Sequence, residues 1–389
     1  MTSEEQDTER PRRIRLGMVG GGQGAFIGGV HRIAARIDDR FELVAGALSS
    51  TPEKALASAA EIGLDPERSY GSYVEMAATE AEREDGIEAV AIVTPNHMHF
   101  PVAKTFLEVG IHVICDKPMT TTLAEAQELA EIAAASGKIF VLTHNYTGYP
   151  MIRQARAMVA AGDLGTIRMV HAEYIQDWLA DRAEDTGSKQ AGWRVDPARA
   201  GAGGSIGDIG THAHNLACFV TGLKVERLSA DLSSFVEGRE LDDNANMLLR
   251  FAGGAKGMLW ASQVAVGNEN GLSLRVYGDK GGLEWRQEEP NRLWFTPLGE
   301  PKRLLTRGGA GANAAAAAVS RIPAGHPEGY LEGFATIYAE AAELIHASDA
   351  GEAPPDGLAL PTLADGIDGL AFIEACVASS QNDGAWTAL

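Results

Sequence analysis

The sequence predicts an α/β protein in two parts: a doubly wound parallel sheet over residues 12–147, then an α+β domain with an open, mostly antiparallel sheet over residues 148–389. Three observations lead there. The early strands are short, continuous apolar runs alternating with helical stretches, as strands covered on both faces are. A glycine-rich turn joins the first strand to the first helix. Beyond Tyr149-Pro150 the strands lengthen and alternate in polarity, the pattern of a sheet with one wet face.

In chain order, a polar tail leads into a strand at 13–19, the turn Gly20-Gly21-Gly22-Gln23-Gly24-Ala25 and a helix through Ile33. A second strand covers 41–47, after which Thr51 suits an N-cap and Pro52 the first helical position. Strands at 89–93 and 111–115 follow. Thr122-Leu123-Ala124-Glu125 reads as a capping box opening a helix that Gly137 closes, before a strand at 139–143. In the second part, a helix at 151–161 precedes strands at 167–175, 225–235, 245–251, 256–264 and 272–277. Ala252-Gly253-Gly254-Ala255 and Gly278-Asp279-Lys280-Gly281-Gly282 suit hairpin turns. Residues 308–319, rich in Gly and Ala, are expected to be a mobile loop, and helices at 330–347 and 363–378 close the chain. No internal repeat is evident.

With 389 residues the chain exceeds one ordinary core and suits two. Its 45% hydrophobic content indicates a packed globule, and its formal charge of −20 disfavours nucleic acid and anionic membranes as partners. Residues 1–15 are polar, without the apolar region of a signal peptide, and no run reaches membrane-spanning length. Cys115, Cys218 and Cys376 are scattered and odd in number, neither a disulfide framework nor a zinc pattern. A reduced, cytoplasmic protein is expected.

A glycine turn between strand and helix is where a dinucleotide pyrophosphate binds, because bare backbone approaches the phosphates and the helix N-terminus offers amide donors. Gly20-x-Gly22-x-x-Ala25 fits that form, with Gln23, Gly24 and Phe26 beside it, so the first part is expected to be a Rossmann domain. Strand two ends in Leu48-Ser49-Ser50 rather than in the acid that usually holds the ribose 2′-hydroxyl. Ser49, Ser50 and Lys54 can accept a hydroxyl or a phosphate there. NAD is the expected cofactor, and NADP stays open.

Three later motifs carry a resemblance: Thr94-Pro95-Asn96-His97-Met98-His99, Cys115-Asp116-Lys117-Pro118, and Gly203-Gly204-Ser205-Ile206-Gly207-Asp208-Ile209-Gly210-Thr211-His212. With the glycine turn, in this order, the chain resembles the glucose–fructose oxidoreductase/inositol dehydrogenase (Gfo/Idh/MocA) family over nearly its whole length. The resemblance implies a nicotinamide-dependent oxidoreductase acting on a sugar or polyol, and a homodimer or homotetramer joined through the C-terminal sheet. It implies Lys117, Asp208 and His212 as the catalytic set. Trp193-Arg194 resembles a pair that the family places on the cofactor or substrate side. Thr94, Asn96, His99, Asp116, Lys117 and Asn145 are further candidates for the cofactor side, Asn96 either as a contact to the nicotinamide ribose or as a turn residue. The chain departs from the family pattern at Asp116, where Glu is usual, at Ala25, and in the missing acid after strand two.

These residue types suit hydride chemistry. The cofactor takes the hydride, histidine is a fitting base for the hydroxyl proton, and a lysine ammonium steadies a developing alkoxide. If the segment after Gly207 is α-helical, Asp208 and His212 share one face, and the carboxylate can hold the ring or, with Lys117 and His212, share the substrate hydroxyls. Lys117 ends a strand at the crevice edge, with Pro118 fixing its turn, a cis bond being one way to do so. Tyr146 and Tyr149 sit where the first part ends, and with Arg194 and His326 they are candidates to contact substrate. Trp178, Trp260 and Trp285 read as sheet packing. The His97/His99 and His212/His214 pairs lack further ligands, so no metal is expected. Two other readings compete. A redox-neutral glycosidase would oxidise, eliminate, hydrate and re-reduce, with Tyr146, Tyr149, Lys189 or His326 as the extra acid or base. A dinucleotide sensor would have no chemical need for Lys117, Asp208 and His212 together.

Overall fold

The computed structural model describes residues 12–389; the polar tail read at the N-terminus lies mostly outside them. Its first half comprises β1 (Ile14–Gly20), α1 (Phe26–Ile37), β2 (Phe41–Ala47), α2 (Pro52–Glu61), α3 (Tyr73–Glu82), β3 (Ala89–Val93), α4 (His99–Glu108), β4 (His112–Cys115), α5 (Leu123–Ser136) and β5 (Phe140–Leu142). The second comprises α6 (Pro150–Ala160), β6 (Ile167–Ile175), α7 (Lys189–Arg194), α8 (Pro197–Ala200), α9 (Thr211–Thr221), β7 (Val225–Ser233), β8 (Asn244–Phe251), β9 (Lys256–Ser262) and β10 (Gly271–Gly278). It continues with β11 (Gly281–Arg286), β12 (Arg292–Pro297), β13 (Arg303–Thr306), α10 (Ala314–Ala318), α11 (Tyr330–Ala350), α12 (Leu363–Gln381) and β14 (Thr387–Ala388).

The first sheet runs β2-β1-β3-β4-β5, parallel throughout. A further outer strand is reduced to one parallel bridge, Ser69 on Gly46. All five residues of β3 are buried, as a strand covered on both faces requires. The second sheet runs β13-β12-β11-β10-β6-β9-β8-β7-β14 and is antiparallel except where β6 pairs with β9. Residues 252–255 turn β8 into β9, and residues 278–282 turn β10 into β11.

Local signals act as chemistry dictates at several ends. Thr122 accepts from the Glu125 amide and Glu125 answers, completing a capping box, and Gly137 closes α5 at φ 65°. Pro52 does start α2, but the Thr51 side chain makes no capping bond. Other expectations need correction. Residues 308–319 are not all loop: Asn313 caps the run of alanines that forms α10, its side chain accepting from Ala316 N–H at 3.0 Å. Strands β11 to β14 supply sheet beyond the strands expected. Trp285 is buried in β11 and Trp260 lies in β9, but Trp178 sits past the end of β6 with over a third of its surface exposed.

The chain returns to the first sheet late. Phe334, Ile337, Tyr338, Ala341 and Ile345 of α11 share a core with Ile14, Leu16 and Val30 of β1 and α1. Tyr338 hydroxyl and His31 Nδ1 are 2.9 Å apart across that seam. No helix among the described residues is long and apolar enough to cross a membrane.

Candidate active site

At the glycine turn, Gly22 N–H donates to Leu48 O (3.1 Å), Gln23 N–H to Ser58 Oγ (3.1 Å) and Ala25 N–H to Gly22 O (3.0 Å). A Cβ on Gly22 would stand 2.5 Å from Leu48 O, and one on Gly28 would stand 2.4 Å from the Gly21 Cα. Bare backbone is thus what lets the turn lie against both α1 and the end of β2. Gly20 and Gly24 take positive φ, at 81° and 75°. Ala25 offers no capping side chain and the first turn of α1 carries no acid, so the leading amides are left for an anion. Phe26 is exposed beside them. A cavity of about 310 Å³ borders the turn on its α2 side, reaching Arg32, Ser58 and Glu61, which the sequence reading did not single out. The Gln23 side chain donates to Glu61 there (2.8 Å). Ser49 and Ser50 follow β2 at the surface, Ser49 Oγ accepting weakly from Thr51 N–H (3.4 Å), and Lys54 is half-buried on α2.

Lys117, Asp208 and Arg194 converge. Lys117 Nζ lies 3.0 Å from Asp208 Oδ1 and also donates to the Asp208 carbonyl. Arg194 Nε donates to Asp208 Oδ2 (2.9 Å), as does Gln263 Nε2 (2.8 Å). Burial alone would raise the Asp208 pKa, but the charges and hydrogen bonds of Arg194 and Lys117 hold it far below the ordinary carboxylate range. Arg194 lies 4.3 Å from the Trp193 ring centroid and 5.8 Å from that of Trp178, so Trp178 braces a guanidinium rather than a sheet. The Lys117–Pro118 peptide is cis.

Asp208 does not hold His212. The chain passes through a π-helical turn at Ile206–Gly210 before α9, which breaks the one-face spacing expected of a straight α-helix. His212 Nδ1 is buried and has no hydrogen-bond partner among the described residues. The ring packs against Tyr146 (4.9 Å), His144 (5.4 Å) and Tyr174 (6.0 Å) instead. Burial first, then the positive field of Lys117, keeps His212 neutral well below the ordinary histidine range. His144 is pushed down to about 3 by burial and the same lysine.

Other candidates divide. Tyr146 hydroxyl meets Tyr174 hydroxyl (2.6 Å), which donates to Asn270 Oδ1 (2.7 Å), and Gln287 reaches the Tyr149 hydroxyl (3.4 Å). His144, Tyr174, Gln263 and Asn270 join the site without any motif that marks them in the sequence. Asn96 donates to Ala200 O (3.0 Å), tying the β3 turn to α8. His99 braces two turns, its Nδ1 2.6 Å from Pro118 O and its Nε2 2.9 Å from Thr94 O. Asp116 Oδ1 accepts from Lys117 N–H (2.8 Å) and from the Thr143 hydroxyl (3.2 Å). His326 is exposed, and its carbonyl, not its ring, is held, by Arg307. The Lys189 side chain lies outside the described set.

Five buried polar atoms lack partners in this region: Thr94 Oγ1, His97 Nδ1, His144 Nδ1, Asn145 Nδ2 and His212 Nδ1. Four belong to the segments leaving β3 and β5, and the fifth belongs to α9 beside them. Unsatisfied polar groups gathered at the carboxyl ends of parallel strands fit a polar ligand laid across the crevice, as a nicotinamide and its ribose would be.

Comparison with known proteins identifies the family. Residues 14–155 match the oxidoreductase family described as GFO_IDH_MocA, NAD-binding Rossmann fold, and residues 152–284 match the GFO/IDH/MocA C-terminal domain. The chain is 61% identical to an oxidoreductase from Sinorhizobium meliloti of known crystal structure, at a TM-score of 0.88, covering 96% of this chain and 99% of that one. It is 39% identical to an inositol dehydrogenase homolog from Azotobacter vinelandii solved with NADH and myo-inositol, with a TM-score of 0.92 and coverage of 97% and 98%. It is also 38% identical, over 99% of both chains, to the uncharacterized oxidoreductase YfiI of Bacillus subtilis (strain 168).

Proposed function

We propose that this chain, which belongs to the Gfo/Idh/MocA family of NAD-binding oxidoreductases, moves a hydride between its nicotinamide cofactor and a secondary carbon of a pyranose sugar, glycoside or polyol. The observation that carries the reading is the convergence of Lys117, Asp208 and Arg194 beside a buried, neutral His212. The Azotobacter relative, solved with NADH and myo-inositol, supports a polyhydroxylated ring as the substrate class.

Bound NAD supplies the hydride acceptor. The Gly20–Ala25 turn and the first amides of α1 would hold its pyrophosphate, and the unpartnered Thr94, Asn145 and His97 would hydrogen-bond its nicotinamide half. In the oxidative direction His212, which burial keeps unprotonated, would take the hydroxyl proton, and the hydride would pass to the bound NAD+. The Lys117 ammonium steadies the alkoxide, and Asp208 fixes that ammonium while neutralising Arg194. Asp208 itself is a poor base, since two cations stabilise its charged form.

The redox-neutral glycosidase needs one more acid or base. Tyr146 and Tyr149 are buried and raised in pKa, chiefly by that burial, and His326 is on the surface, so no specific feature favours that reading. The second sheet supports assembly of copies. Leu248 and Met258 are cross-strand neighbours, both about half exposed, with Met169 close by on β6. Such a patch suits a homodimer or homotetramer. Absorbance at 340 nm with NAD and a panel of inositols, pyranoses and glycosides tests the function. Steady NADH formation is expected. Release of an aglycone without NADH formation would contradict it.

A further inference from the structure

The sequence motif His326-Pro327-Glu328-Gly329-Tyr330 has a different use from the one its position suggested. Its histidine faces solvent, but its glutamate is buried and anchors the turn. Glu328 Oε1 accepts from Arg321 N–H (2.7 Å) and Ile322 N–H (3.0 Å) and pairs with Arg307 (3.0 Å). Asn291 bonds both the Glu328 N–H (3.1 Å) and its carbonyl (2.8 Å). The turn therefore delivers Tyr330, the first residue of α11, in a fixed position, and α11 is itself packed into the core of the first sheet.

Tyr330 stands between the two sides of the crevice. Its ring stacks on Phe26 at the glycine turn (6.3 Å, 25°) and meets Tyr146, beyond the end of β5, at 6.4 Å. Phe334, one turn along α11, backs it at 5.3 Å. Burial first, then the neighbouring Tyr146 and Asp116, raises the Tyr330 pKa, so the phenol stays protonated. That hydroxyl makes no hydrogen bond among the described residues. A phenol held in place at the crevice, part-buried and with no partner for its hydroxyl among the described residues, is free to donate to a ligand there. Tyr146, which the ring meets, follows β5, whereas the adenosine end of a dinucleotide belongs with β2 and Ser49.

We propose, building on the dinucleotide reading above, that Tyr330 walls the nicotinamide end of the bound cofactor and that its hydroxyl donates a hydrogen bond there. The test uses the full chain and two ligands, NADH and ADP-ribose, the latter lacking only the nicotinamide. NADH binding is followed by its fluorescence and ADP-ribose binding by calorimetry, for wild type, Tyr330→Phe and Tyr330→Ala. Tyr330→Phe is expected to weaken NADH about threefold, the loss of one hydrogen bond, and Tyr330→Ala about tenfold or more. ADP-ribose affinity should stay within twofold for both. Unchanged NADH affinity in Tyr330→Ala overturns the assignment. Equal weakening of both ligands also overturns it, because it marks a structural role. Failure of the wild type to bind NADH is a separate result, which would overturn the dinucleotide reading itself.

Discussion

Replacing Asp208 by Asn keeps the side chain's shape and removes its charge. In the wild type that charge receives Lys117 at 3.0 Å, Arg194 at 2.9 Å and Gln263 at 2.8 Å, with side-chain exposures of only 13%, 23% and 17% for Lys117, Arg194 and Asp208. Without it, two cations converge on a neutral amide. Breaking a buried pair by removing one partner costs about 3–5 kcal/mol, and partial solvent access here favours the lower end, ~3 kcal/mol. At about 2.1 cal/mol/K of unfolding entropy per residue, a chain of 389 residues should lose roughly 4 °C in Tm. Because the carboxylate also positions the Lys117 ammonium, kcat/KM should fall by about 10²-fold or more. Differential scanning calorimetry and steady-state rates measure the two effects. Adding Arg194→Gln to Asp208→Asn should recover part of the lost stability by relieving the surplus charge, which a double-mutant cycle reads directly. An Asp208→Asn protein as stable as wild type, with activity within threefold, would refute the claim that this carboxylate organises the site.

Three further outcomes follow from the structure. Gly22→Val should abolish tight NADH binding, because its Cβ would collide with Leu48 O and Ser58 and displace the turn; wild-type affinity by fluorescence titration would contradict this. Burial lowers His31 and His214 from 6.5 to about 4 and His144 to about 3. The unfolded chain therefore binds protons that the folded one refuses as pH falls below 6.5, so stability drops on acidification, each histidine contributing roughly 3–5 kcal/mol once the pH passes its folded value. A urea midpoint that stays flat from pH 6.5 to 4.5 would contradict this. Finally, β2 ends in Leu48-Ser49-Ser50 with no acid at its tip to repel a 2′-phosphate, and Lys54 is one ammonium rather than an arginine fork, so NAD and NADP should differ in affinity by less than about 1000-fold. Ser49→Asp should shift preference toward NAD, and parallel titrations showing no shift would mean that Ser49 does not face the ribose.

The parallel half was readable because its signals are local. Apolar runs, the glycine turn and the Thr122–Glu125 box each act within a few residues of themselves. Lys117 and His212 were legible through short motifs. What joins them was not. The π-helical turn at Ile206–Gly210 re-aims Asp208, and nothing in a periodicity argument separates it from a straight helix. Gln263 and Asn270 reach the site from the segment between β9 and β10, brought there only by sheet pairing. Tyr330 arrives because α11 leaves the second half to pack on the first sheet, a long-range choice made by Phe334, Ile337 and Tyr338. His99 and Asn96 sit within a motif, yet their side chains are taken up in bracing turns.

The central claim is that Lys117 and His212 act on the substrate while the glycine turn holds the cofactor. It is tested most directly by measuring turnover and NADH affinity together in Lys117→Ala and His212→Ala, with the best substrate found among polyols and pyranoses. Each variant should lose about 10²-fold or more in kcat, while its NADH dissociation constant changes severalfold at most. Near-normal kcat in either variant would remove that residue from the chemistry, and loss of NADH binding in step with kcat would make its role structural.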